Sequence, residues 1–227
     1  MSVLGIPKKF RPAFLSGVVE YAEACVDSDN EKSLRESLAL VPEVTERAVV
    51  KRRCEFYSGR WAAAQAIARL TGIIDTPQVN SDRSPAWPHG LIGSITHTND
   101  YALAAVARTS KVRRIGIDLE SINAVAKVEN LNEMICTKHE LDLLKAKPVY
   151  ESLALLFSAK ESLYKSLYPE VGVYFDYLDA SLVTGDESSL VLRLQKSLGD
   201  VFAEGDCFRV NYLVEDKHVL TWQIDLL

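Results

Sequence analysis

The chain has 227 residues, 48% of them hydrophobic and 25% charged, with a formal net charge of −5 at pH 7. That length fits one large domain or two small ones around a real core, and the acidic balance argues against general nucleic-acid binding. No run of 18 uncharged apolar residues occurs, so no transmembrane helix is expected, and the N-terminus (MSVLGIPKKFRPAFLSG) lacks the apolar core and cleavage site of a signal peptide.

Residues 1–13 read as an irregular arm broken by Pro7 and Pro12. Residues 16–27 suit a strand, with helix as the rival, and residues 33–40 a short helix ended near Pro42. From 43 to about 70 the pattern is helical: Ala63, Ala66, Ile67 and Leu70 recur at i, i+3, i+4, i+7, and Thr71-Gly72 closes the run. A loop with Pro77, Pro85 and Pro88 follows. Residues 93–96 and 101–108 then read as a hairpin around Asn99-Asp100.

A polar basic connector at 109–114 separates two halves, 1–112 and 113–227. Beyond it the pattern predicts a strand at 115–120 and a short helix at 128–135. A helix opened by the capping-box signature Thr137-x-x-Glu140 comes next. A longer helix over 150–168 is expected to stop at Pro169 and Gly172. Strands near 174–183, 190–194, 207–214 and 219–224 finish the chain. Strands with interposed helices and hairpin-length links favour an α+β fold with mainly antiparallel sheets over a doubly wound sheet. The stretches FYSGRWAAAQA (56–66) and FSAKESLYKSL (157–167) echo each other, which suggests two similar subdomains, each a helix on a small antiparallel sheet.

Five places carry candidate chemistry. Asp118 and Glu120 lie two apart in GIDLE, so on a strand both acids point to one side. They fit either a Mg²⁺ site built from hard oxygen ligands or a solvated strand edge. Glu161 and Lys165, four apart in FSAKESLYK, share a helix face next to Lys160. They make either a site or an exposed ion pair worth ~0.3–0.5 kcal/mol. His97 follows Gly93-Ser94-Ile95-Thr96 and suits a phosphate contact, a proton shuttle or a structural role. Arg52, Arg53 and Arg60 lie on roughly one helix side, as a phosphate grip or a solvated basic face. Trp87, between Pro85 and Pro88, reads first as a brace, with Arg83 beside it able to reach an anion. The four cysteines and four histidines lack metal-ligand spacing, which points to free thiols in a reducing cytoplasm. No Walker A, GxGxxG or GxSxG motif is present.

Taken in order, Arg52…Glu55-Phe56…Gly59-Arg60, Arg83-Ser84-Pro85-Ala86-Trp87-Pro88, Gly93-Ser94-Ile95-Thr96-His97, Gly116-Ile117-Asp118-Leu119-Glu120 and Phe157-Ser158-Ala159-Lys160-Glu161-Ser162…Lys165 resemble the 4′-phosphopantetheinyl transferases. The similarity is strongest to the branch of enterobactin synthetase component D and its surfactin-type relatives. It spans about 51–169 strongly and continues faintly to the last strands.

The resemblance implies two pseudo-twofold-related subdomains with coenzyme A in the cleft between them. It implies transfer of phosphopantetheine from coenzyme A to a serine of an apo carrier protein, leaving 3′,5′-ADP. The carrier is expected to be peptidyl, aryl or acyl, in siderophore or other nonribosomal peptide synthesis. By the same resemblance Asp118, Glu120 and Glu161 gather Mg²⁺, and Arg52, Arg60, His97 and Arg83 hold the 3′-phosphate end. Ser94 contacts coenzyme A near His97, and Lys160 and Lys165 face the pyrophosphate. Glu161 is the expected base and Lys165 the expected acid. The internal duplication favours a monomer. A non-catalytic module that binds coenzyme A or a carrier is the alternative, and an unrelated Mg²⁺-dependent phosphohydrolase a third reading.

Overall fold

Small residues set the packing of the first half. Ala62, Ala63, Ala64 and Ala66 are fully buried on helix α2 (Val50–Thr71), against buried alanines of β1 (Val19–Cys25) and β5 (Tyr101–Arg108). With so little side chain between them, helix and sheet approach closely. A Cβ on Gly59 would come within 2.8 Å of Ile95 Cγ2 on β4 (Leu91–His97). The structure, a computed structural model, describes Phe10, Pro12 and residues 17–38 and 48–227. The arm expected over 1–13 and the helix start expected at 43 lie largely outside those residues.

The chain divides into two compact units, Met1–Arg113 with Leu226–Leu227, and Arg114–Asp225. In the first, α2 covers an antiparallel sheet of order β1-β5-β4. The short helix α1 (Glu31–Ser37) is tied to α2 by Arg53, whose Nε lies 2.6 Å from Glu31 Oε1. Gly72, at φ 80°, takes the left-handed turn that ends α2, as glycine there readily can. A minimal ladder of β2 (Gln78–Val79) and β3 (Pro85–Ala86) carries Trp87 onto Gly93, where a Cβ would meet the indole at 2.7 Å. Trp87 is therefore a brace.

The second unit repeats the plan of one long helix on a sheet. Helix α6 (Val149–Val171) lies on a five-stranded sheet of order β6-β10-β9-β8-β7, formed by β6 (Val112–Ser121), β7 (Ala180–Gly185), β8 (Ser189–Leu194), β9 (Cys207–Glu215) and β10 (His218–Leu226). Leu155, Leu156, Leu163 and Leu167 of α6 form one apolar cluster with Leu190, Leu192, Val210 and Val219 of the sheet. Helices α3 (Ile122–Val125), α4 (Leu131–Ile135) and α5 (Lys138–Leu143) complete the unit.

Two expectations are corrected. Pro169 does not end α6; it gives up one bond in the last turn, and the helix runs on to Gly172, whose N–H reaches Tyr168 O at 2.8 Å. Residues 174–179 are not strand. Asp176 and Asp179 cap each other and wind Tyr177–Asp179 into a 3₁₀ turn, so β7 begins only at Ala180.

Candidate functional site

Glycine 116 determines how near the two acidic elements of the second unit can come. A Cβ there would lie 1.9 Å from Ser162 O and 2.6 Å from Ser166 N, so the backbone of α6 rests directly on β6. The helix meets β6 and β10 through serines every four residues: Ser158, Ser162 and Ser166, all buried. Thr221 Oγ1 donates to Ser158 O at 2.8 Å and lies 3.0 Å from Ser162 Oγ, while Ser166 bonds Gln223. These small, satisfied polar groups fix helix against sheet without the bulk that would push them apart.

That contact sets the site. Asp118 and Glu120 project from one face of β6, two and four residues beyond Gly116, and Lys165 reaches back from α6 so that its Nζ lies 2.5 Å from Asp118 Oδ1. Burial alone would lower the Lys165 pKa, but Asp118, Glu161 and Glu120 outweigh it and raise it. Burial, then Asp118 and Glu161, push the Glu120 carboxyl from 4.5 up to about 8, against the opposing pull of Lys165. Glu161, one turn before Lys165, accepts a hydrogen bond from the Tyr177 hydroxyl at 2.5 Å. Burial and then Glu161 raise the phenol's pKa, so it stays protonated and donates. A cavity of about 120 Å³ opens beside Glu161, lined by Lys160, Tyr164, Tyr174, Phe175, Asp176 and Tyr177.

Lys160 goes elsewhere. It is 3% exposed, and its Nζ lies 2.8 Å from Glu140 Oε1 and 2.7 Å from Ile135 O. Glu140 is saturated: besides Lys160 it accepts from Leu182 N at 2.9 Å and from Thr137 N and Oγ1 at 2.8 and 3.0 Å. The capping box legible in the sequence is thus also the seat of a buried ion pair. Burial would raise the Glu140 pKa, but Lys160 and the backbone donors pull it below the usual carboxylate value. Burial lowers the Lys160 pKa against the support of Glu140. The lysine expected at a pyrophosphate has its charge already answered inside the fold.

In the first unit, Arg52 Nη1 donates to His97 Nε2 at 3.1 Å and to Glu55 Oε2 at 3.3 Å, with His97 Nδ1 3.9 Å from the same carboxylate oxygen. Arg52 and His97 are held together there by one acid. Arg60 sits two turns further along α2, 4% exposed, its guanidinium 5.0 Å over the Phe56 ring. Burial lowers its pKa to about 10, which leaves it charged at neutral pH, and among the described residues its Nη1 has no hydrogen-bond partner. Ser94 is buried at mid-strand. Strand alternation puts it on the face of β4 opposite His97, so its side chain does not share the histidine's surroundings as expected. Arg83 is exposed at the β2–β3 turn with φ 71°.

The structure thus brings Asp118, Glu120, Glu161 and Lys165 together, and separately Arg52 and His97. Among the described residues no group of three or more His, Cys, Asp and Glu side chains is drawn close enough to hold a metal ion. Sequence reasoning missed Glu140 as the partner of Lys160, Glu55 as the acid under Arg52 and His97, and Tyr177 altogether. The capping box was a signal for Glu140; Tyr177, in a stretch read as strand, gave none.

Comparison with known proteins places both units. A family described as the 4′-phosphopantetheinyl transferase N-terminal domain matches residues 39–107, and the 4′-phosphopantetheinyl transferase superfamily matches 114–222. Enterobactin synthase component D of Salmonella typhimurium is 34% identical over 173 residues, 75% of this chain and 71% of the relative. The 4′-phosphopantetheinyl transferase PptT of Mycobacterium tuberculosis is 31% identical over 180 residues, 78% of this chain and 77% of its own. A holo-(acyl-carrier-protein) synthase of Bacillus anthracis, solved in complex with CoA (3′,5′-ADP), superposes on 51% of this chain and 96% of its own. Its identity is 20% and its TM-score 0.39, too slight a likeness to carry weight.

Proposed function

Because the chain belongs to the 4′-phosphopantetheinyl transferase superfamily, we propose that it transfers 4′-phosphopantetheine from coenzyme A to a serine of an apo carrier protein and that the α6–β6 site performs the chemistry. The carrier is a peptidyl, aryl or acyl carrier of siderophore or other nonribosomal peptide synthesis, in keeping with the component D relatives. The observation that carries the reading is the convergence of Lys165 on Asp118, with Glu120 and Glu161 within its electrostatic reach.

The serine hydroxyl attacks the β-phosphorus, a new O–P bond forms, and the bond to 3′,5′-ADP breaks. Glu161 takes the hydroxyl proton, directly or through water; such assistance is typically worth ~10²–10⁴-fold. Lys165 faces the departing phosphate. Its raised pKa suits it better as a fixed positive charge than as a proton donor, which offsets the charge left on the leaving group. Arg60 and the Arg52–His97 pair hold the 3′-phosphate end, and the bare, buried Arg60 guanidinium is the strongest support for an anion there.

Among the described residues the three acids are not drawn into a closed cluster, but their donor chemistry suits a divalent metal. Asp118, Glu120 and Glu161 offer hard oxygens, and a Glu120 carboxyl pushed up to about 8 marks a place short of positive charge. Mg²⁺ held there would offset the charge that gathers on the pyrophosphate oxygens. Lys160 contributes by fixing α6, not by touching phosphate. The four unpaired cysteines agree with a reducing cytoplasm, and the enzyme acts there as a monomer.

The test is a mass shift of one phosphopantetheine on an apo carrier domain of a nonribosomal peptide synthetase, dependent on coenzyme A and Mg²⁺. Glu161→Gln is expected to lower transfer by about 10²–10⁴-fold while coenzyme A still binds. Binding without any transfer by the wild type would leave the non-catalytic module as the better reading.

A further inference from the structure

We propose that Tyr177 is a positioning residue for the Glu161 carboxylate, holding one oxygen so that the other is presented to the reacting hydroxyl. The proposal rests on the reading of Glu161 as the base and adds the residue that orients it.

The argument starts with what Glu161 lacks. It leaves α6 on a half-buried face, and a glutamate carboxylate on a helix can swing through several rotamers. Among the described residues the Tyr177 hydroxyl is its one hydrogen-bond partner, at 2.5 Å to Oε1. Lys165, one turn on along the same helix, hydrogen-bonds Asp118 instead. A base that must both accept a proton and face a metal cannot wander, since a displacement of about 1 Å costs on the order of 10²-fold in rate.

Tyr177 is built to be rigid. It opens the 3₁₀ turn, where its own N–H reaches Asp176 Oδ1 at 2.7 Å and Asp176 N–H reaches Asp179 Oδ2 at 2.7 Å. Asp179 is held in turn by Lys196 Nζ at 2.6 Å, and its carbonyl accepts from Gln195 N at 2.7 Å. The ring packs against Phe157, one turn before Glu161 on α6, with centroids 5.3 Å apart. The phenol therefore arrives at Glu161 on a doubly capped turn with its ring already seated. A tyrosine needed for packing alone would be served as well by phenylalanine; here the oxygen meets the carboxylate proposed to take the proton.

The experiment measures kcat and KM for coenzyme A in the full chain, with an apo carrier domain as acceptor and Mg²⁺ present. If the wild type labels no carrier, the functional reading fails before Tyr177 is tested. If it labels, Tyr177→Phe is expected to lower kcat about tenfold while KM for coenzyme A stays within about twofold and the melting temperature is unchanged. Tyr177→Ala adds a fall in melting temperature from the lost packing on Phe157. In a Glu161→Asp background, whose carboxylate is one methylene short of the phenol, Tyr177→Phe is expected to change kcat less than twofold, because the two residues act as a unit. A wild-type kcat in Tyr177→Phe overturns the proposal. So does the same loss in both backgrounds, or a loss that appears in KM and melting temperature rather than kcat.

Discussion

Each unit buries one cation on its long helix, and the two are treated in opposite ways. Arg60 on α2 is 4% exposed and Lys160 on α6 is 3% exposed. Lys160 is met by the Glu140 carboxylate at 2.8 Å and by a backbone carbonyl at 2.7 Å. Arg60 has an aromatic face at 5.0 Å and a guanidinium nitrogen with no acceptor among the described residues. A buried charge without a partner is costly, and a fold retains it where something else supplies the partner. The paired lysine belongs to the architecture, and the Arg60 nitrogen left without an acceptor is where the proposed phosphate contact would be made.

The largest expected effect tests the paired side. Glu140→Ala leaves the Lys160 ammonium buried without a counter-charge and removes the cap of α5, a loss of about 3–5 kcal/mol, to be read as a shift of the urea midpoint at constant slope. Adding Lys160→Met should recover much of that loss, because it removes the buried charge that Glu140→Ala leaves unpaired. If the doubly substituted protein still transfers phosphopantetheine at near the wild-type rate, Lys160 has no contact with pyrophosphate. If it folds normally yet is inactive, the contrast between the two cations is broken.

Arg60→Met tests the bare side and should do the reverse. Stability is unchanged or higher, since a desolvated charge disappears. KM for coenzyme A rises about 10–100-fold, the size of one or two charge-assisted hydrogen bonds at about 1.5–3 kcal/mol each. A fall in melting temperature with unchanged KM would make Arg60 a second architectural cation.

How much of this was legible in the sequence follows the same line. Asp118 and Glu120 two apart on a strand, and Glu161 and Lys165 four apart on a helix, are local spacings, and the structure keeps both on one face. Lys160 and Glu161 are adjacent, and neighbours on a helix point about 100° apart, so FSAKES alone does not say which of them meets the acids of β6. Which of them turns inward depends on Glu140, twenty residues away on another helix, and no local pattern carries that. The capping box was readable, but its carboxylate has a second oxygen that meets Lys160 and Leu182 N. The strand expected at 174–179 failed because Asp176 and Asp179 satisfy each other's backbone before any sheet partner does. Ser94 and His97 looked like one constellation because they are close in sequence; an odd separation on a strand divides them.

The smallest expected effect concerns the acid cluster, which has the opposite fault from Arg60: too much negative charge rather than an unanswered positive one. With Glu120 raised from 4.5 to about 8, the folded, metal-free protein holds a proton that the unfolded chain releases. The stabilisation this gives is complete below about pH 4.5 and is lost as pH rises through about 8. If Mg²⁺ binds at these acids as proposed, it must displace the same proton, so its apparent affinity should rise by up to about tenfold per pH unit as pH climbs toward 8, and calorimetry in buffers of different ionisation enthalpy should show close to one proton released per metal bound near pH 7. Glu120→Gln should abolish that release and flatten the decline of metal-free stability between pH 5 and about 8. If the wild type binds Mg²⁺ without releasing a proton, Glu120 is not where the metal's charge is felt, and the cluster of acids around Lys165 is held together by the lysine alone.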